Sequence, residues 1–140
     1  MITSIWNTPT ADIDAFLTEY ERRGADPDAD VGDDFADQFF AIDPNRALVL
    51  ARETLVASLP ARRKMFQSAG VGALHRTRAR QLDLDEHHLL VAVDWEADRS
   101  GRKPAQFQST FLLRRENGRL RILVYLNHGD VAAVLSAGDR

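Results

Sequence analysis

The fold of this chain is decided by the segment Phe111-Leu112-Leu113-Arg114-Arg115-Glu116-Asn117-Gly118-Arg119-Leu120-Arg121-Ile122. Two stretches that mix apolar and charged residues flank an Asn-Gly pair, which is a strong signal for a tight turn between antiparallel strands. The segment therefore predicts a hairpin formed by strands Ala105–Arg114 and Arg119–His128.

The same period of two continues toward the N-terminus. Two more strands are predicted at Ala73–Leu82 and His87–Ala97. The connections between the four strands are short and polar, and short connections join antiparallel neighbours. The C-terminal half is therefore expected to be an antiparallel meander.

The N-terminal half follows the helical period of 3.6. A second helix is expected over Arg52–Gln67, a short hairpin turns at Asp43-Pro44-Asn45, and a last helical turn follows at Val131–Leu135. Helices that cover one face of such a sheet give an α+β layer architecture. The first helix shows its apolar face at Ile13, Phe16, Leu17 and Tyr20.

Composition narrows the range of functions. With 140 residues and a formal charge of -3, we expect one domain over residues 1–140 that does not bind nucleic acid. The chain has no cysteine, so thiolate catalysis and thiolate metal sites are excluded, and no other metal site is predicted. The start Met1-Ile2-Thr3-Ser4-Ile5-Trp6 does not resemble a signal peptide, and no apolar run is long enough for a membrane span. The expected location is the cytoplasm.

The charged residues predict which face of the sheet points inward. Arg76, Arg78 and Arg80 share one face of their strand, and Asp94 and Glu96 share one face of the next. Placing these charges outside leaves an apolar inner face under the helices. We expect a hydrophobic pocket there, lined by Phe16, Phe39, His75, Thr77, Val93, Trp95, Phe107, Ser109, Phe111, Ile122 and Val124.

The outer face keeps apolar residues as well, and a patch of that size predicts a homodimer that packs sheet against sheet. The patch consists of Leu90, Ala92, Leu112, Leu123 and Tyr125.

The order of these elements resembles the NTF2-like superfamily, which includes SnoaL-like polyketide cyclases, ketosteroid isomerases and scytalone dehydratase. The residues that carry the resemblance are Phe35-Ala36-Asp37, then Asp43-Pro44, then a helix and the meander that ends in Phe111–Ile122. The resemblance implies a cystatin-like cone. In it a curved antiparallel sheet, with four long strands and a short N-terminal hairpin, wraps around about three helices. Members of the superfamily often form dimers.

The resemblance also implies site residues. Asp43 takes the place of the general base of the isomerases, and Tyr20 lies near the place of their oxyanion tyrosine. The protonated aspartate of their oxyanion hole falls near Ser109 or Thr110 here, so that acid is missing and only the pocket architecture transfers. His128, at a strand end, is a further candidate for polarising a substrate oxygen.

Two functions stay open from the sequence. One is an isomerase, cyclase or dehydratase that uses no cofactor, with Asp43 as the base and a carbonyl-containing or aromatic substrate. The other is a ligand-binding or dimerisation module without catalysis. Asp43-Pro44-Asn45 is also typical of a turn, and Tyr20 of a core aromatic, and the residues alone favour these two interpretations. The position of the Asp43 carboxylate, in the pocket or on the backbone of Asn45 and Arg46, distinguishes the two functions.

Overall fold

The computed structural model describes residues 5–26, 28–30 and 32–136, without the side chains of residues 132, 135 and 136. No helix in these ranges is both long and apolar enough to span a membrane. The elements of the described chain are helices α1 Ala11–Ala25, α2 Arg52–Ser68 and α3 Val131–Ser136, a 3-10 turn at Gly32–Asp34, and strands β1 Phe35–Asp43, β2 Arg46–Ala51, β3 His75–Asp83, β4 His88–Arg99, β5 Arg102–Glu116 and β6 Arg119–Asn127.

The strands form one sheet in the order β2-β1-β6-β5-β4-β3. Strands β3 to β6 are the expected antiparallel meander, and β1 and β2 form the expected hairpin. However, β1 runs parallel to β6, so the sheet is mixed and not purely antiparallel as expected. Strand β2, helix α2 and strands β3 to β5 separate these two strands in the chain, and no short turn forces them into opposite directions.

The turn between β5 and β6 matches its prediction. Asn117 has φ 52° and Gly118 has φ 74°, the two left-handed residues that a type I′ hairpin requires. Asn and Gly adopt this conformation at low cost, so the sequence of the turn sets the register of the last hairpin.

Strand β4 shows the predicted inner face without interruption. Its burial alternates along the whole strand, and β5 buries Ser109, Phe111 and Leu113 on the same side. Helix α1 packs onto this face through Ile13 and Leu17, which are fully buried. Full burial of such a side chain contributes roughly 1.5–3 kcal/mol. The buried β4 residues are Leu89, Val91, Val93, Trp95 and Ala97.

A register shift in β3 changes the prediction for one arginine. Thr77 lies between Arg76, which pairs with Trp95, and Arg78, which pairs with Asp94. An extra residue in one strand reverses the facing of the residues on one side of it. Arg76 therefore faces helix α1, with Nη1 3.1 Å from Oδ1 of Asp14. The predicted outward row of three arginines is wrong at Arg76.

A second shift reverses the end of β6. The register changes between Ile122, which pairs with Leu113, and Val124, which pairs with Leu112. Ile122 is buried in the core as expected, but beyond Leu123 the facing is opposite to the prediction. Val124 shares a face with its outer partner Leu112, whereas Tyr125 turns inward. The inward position of Tyr125 follows from an irregularity that a strict period of two cannot represent.

Candidate ligand-binding cavity

A cavity of about 370 Å³ lies between helices α1 and α2 and one end of the inner face of the sheet. This volume falls at the lower end of the range found for small-molecule sites. The wall is mostly apolar and is formed by Tyr20, Glu21, Gly24, Ala25, Phe35, Leu55, Leu59, Arg62, Arg63, Phe66, Gln67, Val71, Gly72, Ala73, Leu74, Trp95, Phe107, Ser109, Tyr125, Asn127 and Val131.

Aromatic rings make up much of this wall. Phe66 of α2 stacks on Phe107 of β5, with ring centroids 6.3 Å apart and an interplanar angle of 16°. Trp95 lies 5.9 Å from the ring of Tyr20. Such surfaces accept a flat apolar molecule, because aromatic pairs favour offset stacking and edge contacts.

Both tyrosines of the chain meet in the cavity. Each ring packs edge-on against Phe111, with ring centroids 5.5 Å apart. Burial raises the pKa of Tyr20 well above its ordinary value, and the neighbouring Tyr125 adds to this shift. Tyr20 is therefore a neutral hydrogen-bond donor at any physiological pH.

Tyr125 has the opposite electrostatic environment. Burial would raise its pKa, but the positive charge of Arg62 and hydrogen bonding with Arg62, Asn127 and Tyr20 together lower it. Interactions that stabilise the ionised phenol outweigh the cost of desolvating it. Tyr125 is thus the more acidic phenol of the pair.

Arg62 brings a positive charge into the cavity from helix α2. Its guanidinium carbon lies 5.6 Å from the ring centroid of Phe66, in cation–π range. Tyr125 raises the pKa of Arg62 in spite of burial, so the side chain stays charged. Among the described residues, no carboxylate pairs with Arg62.

Ser109 and Trp95 form a polar contact in the wall. The indole Nε1 of Trp95 donates to Oγ of Ser109 at 2.7 Å, and Ser109 is buried. The serine hydroxyl keeps its own proton for another acceptor. Thr110, the other residue near the expected oxyanion position, faces away and contacts His128 with its Oγ1 at 2.7 Å.

A buried ion pair supports the helix next to the cavity. Nη1 of Arg23 donates to Oδ1 of Asp34 at 2.6 Å, and the carboxylate is almost completely buried. The other oxygen, Oδ2, has no hydrogen-bond partner among the described residues. Burial raises the pKa of Asp34, an effect that Arg23 only partly offsets.

Asp43 lies outside the cavity wall. Its Oδ1 accepts the backbone N–H of Asn45 at 2.8 Å and that of Arg46 at 3.1 Å. A carboxylate held this way closes the turn between β1 and β2. The geometry contradicts the prediction of a base in the pocket and agrees with the turn interpretation that the sequence left open.

Four other predicted site residues lie outside this cavity at exposed or outward-facing positions. His128 is exposed beside Thr110, and His75 is exposed at the start of β3. Thr77, at the irregular position of β3, is exposed and donates to the carbonyl oxygen of Asp94 at 3.2 Å. Val124 faces outward for the reason given for β6. The two register shifts account for all four, because each of these residues follows the facing of an irregular strand.

The other predicted residues divide between wall and core. Tyr20, Trp95, Phe107 and Ser109 lie in the wall. Phe16 packs against the core from α1, with its ring 6.4 Å from that of Tyr20. The residues buried in the core rather than exposed in the wall are Phe39, Val93, Phe111 and Ile122.

The sequence interpretation missed Arg62, Tyr125 and Asn127. Arg62 could have been found, because it falls at i+7 in a helical stripe whose other members are Leu55, Leu59 and Phe66. A charged residue within an apolar stripe is a signal for a polar group in a pocket. Tyr125 and Asn127 gave no such signal, since residues 122–126 are continuously apolar or aromatic and fit either phase.

Solved structures share this architecture, although no protein-family model and no curated protein matches the chain. An NTF2-like protein of unknown function from Shewanella oneidensis MR-1 has a TM-score of 0.66 and 20% identity, over 86% of this chain and 99% of its own. A protein of unknown function with a cystatin-like fold from Nostoc punctiforme PCC 73102 has a TM-score of 0.65 and 14% identity, over 89% and 96%. An NTF2-like protein of unknown function from Pseudomonas putida KT2440 has a TM-score of 0.64 and 14% identity, over 84% of each chain.

The chain therefore has the NTF2-like, cystatin-like α+β fold, as the resemblance in sequence implied. At these identities the likeness carries the fold and no activity.

Proposed function

We propose that this protein binds a small amphipathic organic molecule in the cavity between α1, α2 and the sheet. The observation that carries the proposal is the combination of an apolar aromatic wall with convergent polar groups, Tyr20, Arg62 and Tyr125, at one place in that wall. Ligand sites have this composition, because apolar surface supplies affinity and a few polar groups set orientation.

The position of Asp43 supports ligand binding without catalysis over a reaction in which Asp43 acts as the base. That carboxylate is engaged by two backbone N–H groups in a turn and is absent from the cavity wall. A general base must come within hydrogen-bond reach of the proton that it removes. We therefore propose no isomerase, cyclase or dehydratase chemistry that depends on Asp43.

A neutral fluorescent probe tests the cavity. Nile red should bind the wild-type protein, and Leu59→Trp should weaken binding at least about tenfold because the larger ring occupies the space of a ligand. Met65→Trp is the matched control, since Met65 is exposed on the same helix and lies outside the wall. Equal Nile red affinity for Leu59→Trp and the wild type would exclude the cavity as the binding site.

We also propose that the protein forms a homodimer through the outer face of the sheet. One row of outer residues crosses all six strands with an unbroken series of register pairs: Val49, Phe40, Val124, Leu112, Leu90 and Leu82. Phe40 is 48% exposed and Val49 58% exposed. A continuous apolar row of this length is typical of a surface that packs on another sheet.

The oligomeric state tests this second proposal. Phe40→Glu should convert the dimer to a monomer in sedimentation velocity, because two carboxylates would be buried at a symmetric interface. Tyr125, which the sequence placed on this face, points into the cavity and is unsuitable for the test. The control is Met65→Glu on helix α2, and a monomeric wild type would contradict the proposal.

A further inference from the structure

Arg62 differs from three other arginines at the helices, Arg23, Arg52 and Arg76. Arg23 pairs with Asp34, Arg52 with Asp37 and Arg76 with Asp14, at 2.6, 3.0 and 3.1 Å. Arg62 has no carboxylate partner among the described residues, and its neighbours are the hydroxyl of Tyr125 and the ring of Phe66. The charge of Arg62 is therefore not neutralised within the described part of the chain at neutral pH.

An unneutralised guanidinium in an apolar cavity is unfavourable for folding. Desolvation of a cation is strongly unfavourable unless an anion or several hydrogen bonds compensate for it. A phenol and a cation–π contact compensate only in part. Such a side chain is well suited to an anion that arrives from outside, because guanidinium binds carboxylate with two parallel hydrogen bonds.

The charged groups near Arg62 do not supply that anion. Glu21 is the carboxylate in the cavity wall, and its Oε1 accepts the backbone N–H of Arg76. Asp34 is held by Arg23. The neighbouring Arg63, also in the wall, donates to the carbonyl oxygen of Asp26 at 3.2 Å. Asn127 adds an amide next to Tyr125, so donors cluster at one place in the wall.

We propose that the ligand is a planar aromatic monocarboxylate. Its carboxylate would bind Arg62 and accept hydrogen bonds from the Tyr125 hydroxyl and the Asn127 amide, while its ring system would lie against Trp95 and Phe107. This inference rests on the proposed ligand-binding function and names the class of ligand. The rest of the wall is mostly apolar, and its other charged side chains, Glu21 and Arg63, are already engaged by backbone groups, which favours a ligand with one charged group and not two.

Two probes of the same shape test the charge preference. 2-Naphthoate and the neutral 2-naphthamide should be titrated calorimetrically into the wild-type protein at pH 7 and moderate salt. We expect 2-naphthoate to bind at least about tenfold more tightly, because a charge-assisted pair is stronger than a neutral hydrogen bond. Arg62→Met should abolish this preference and leave 2-naphthamide binding within about twofold of the wild type.

Arg52→Gln is the matched control, because it removes a positive charge from the same helix outside the cavity wall and should keep the preference. Arg62→Met should fold, because replacing an unneutralised buried charge by an apolar chain of similar length is not destabilising. Arg62→Gln repeats the test if the methionine variant fails to fold.

The outcomes separate this inference from the proposed function. Equal affinity of the wild type for both probes, or a preference that survives in Arg62→Met, would overturn carboxylate recognition. If neither naphthalene probe binds but Nile red does, the ligand class is wrong and the cavity still binds ligands. If Nile red binding is also insensitive to Leu59→Trp, both proposals fail together.

Discussion

The two ends of the inner face of the sheet differ although the same four strands build them. At one end Ile13 and Leu17 of α1 close over Leu89, Val91 and Leu113, and all five side chains are fully buried. At the other end, where the cavity lies, the helices leave space over Trp95 and Phe107. The period of two is common to both ends, so it does not distinguish a filled core from a ligand site.

The difference between the ends lies in what the helices contribute. Helix α1 offers aliphatic side chains to the closed end, whereas α2 has no fully buried residue and offers Leu55, Leu59, Arg62 and Phe66 to the cavity. A charged side chain in the middle of that stripe cannot be packed as tightly as a leucine. The cavity is therefore a property of α2 as much as of the sheet.

Truncation of one aromatic ring at each end of the inner face should give the largest difference in the free energy of unfolding. Phe111→Ala, at a fully buried position, should lower the free energy of unfolding by about 3–5 kcal/mol, since it leaves a void among packed side chains. Phe107→Ala, in the cavity wall, should cost about 1–2 kcal/mol, because one side of that ring already faces open space. Urea unfolding followed by circular dichroism measures both. Equal losses would mean that the two ends are packed alike.

Substitutions of Arg23 and Arg62 should differ by a similar amount in their effect on the free energy of unfolding. Arg23→Met removes the partner of the buried Asp34 and should destabilise the protein by about 3 kcal/mol. Arg62→Met should change the unfolding free energy by about 1 kcal/mol or less, because no buried carboxylate depends on it.

The double variant Arg23→Met/Asp34→Asn supplies the control for the arginine comparison. It should recover part of the loss, since it removes the unpaired charge. A loss in Arg62→Met as large as that in Arg23→Met would show that Arg62 has a structural partner.

A pH titration should give clearly different pKa values for the two tyrosines. Because the chain has only Tyr20 and Tyr125, tyrosinate absorbance near 295 nm reports these residues alone. Tyr125 should ionise below its ordinary pKa of 10.0, and Tyr20 should stay protonated well above that value. Arg62→Met should raise the pKa of Tyr125, because the adjacent positive charge is lost.

The same shifts have opposite effects on stability. The pKa of Tyr125 is lower in the folded state than in the unfolded state. Ionisation of Tyr125 therefore stabilises the fold as the pH rises from the folded pKa to the unfolded pKa. The pKa of Tyr20 is raised in the folded state. The stability that the protonated Tyr20 contributes is therefore present below pH 10.0 and is lost as the pH rises above it. Tyr125→Phe assigns the lower transition, and two transitions that coincide would contradict the difference in environment.

Asp43→Ala should have the smallest effect. It removes two hydrogen bonds of an exposed turn, and we expect a loss in unfolding free energy of about 1 kcal/mol or less. Nile red affinity should stay within about twofold of the wild type, since the side chain is outside the cavity. A large loss of ligand affinity with unchanged stability would show that Asp43 takes part in ligand binding.

Much of the fold follows from local patterns in the sequence. The Asn117-Gly118 turn, the alternation of β4 and β5 and the apolar stripe of α1 each act over a few residues, and the structure agrees with all three. The position of Trp95 and Ser109 in the cavity wall follows from the same alternation. Patterns of this kind can be recognised in a sequence, because they follow directly from backbone conformation and from the period of the side chains.

The sequence by itself determined the order of the elements and the identity of the central inner face, because local hydrogen bonding and alternation specify both. Only the tertiary structure decided that β1 lies parallel to β6, and that an irregularity at Leu123 turns Tyr125 inward. The reason is physical: a shift of one residue reverses the facing of every later side chain in the strand, and it depends on the partner strands and not on the local sequence. The meeting of Arg62 with Tyr125 belongs to the same category, because it joins residues from a helix and a strand that are far apart in the chain.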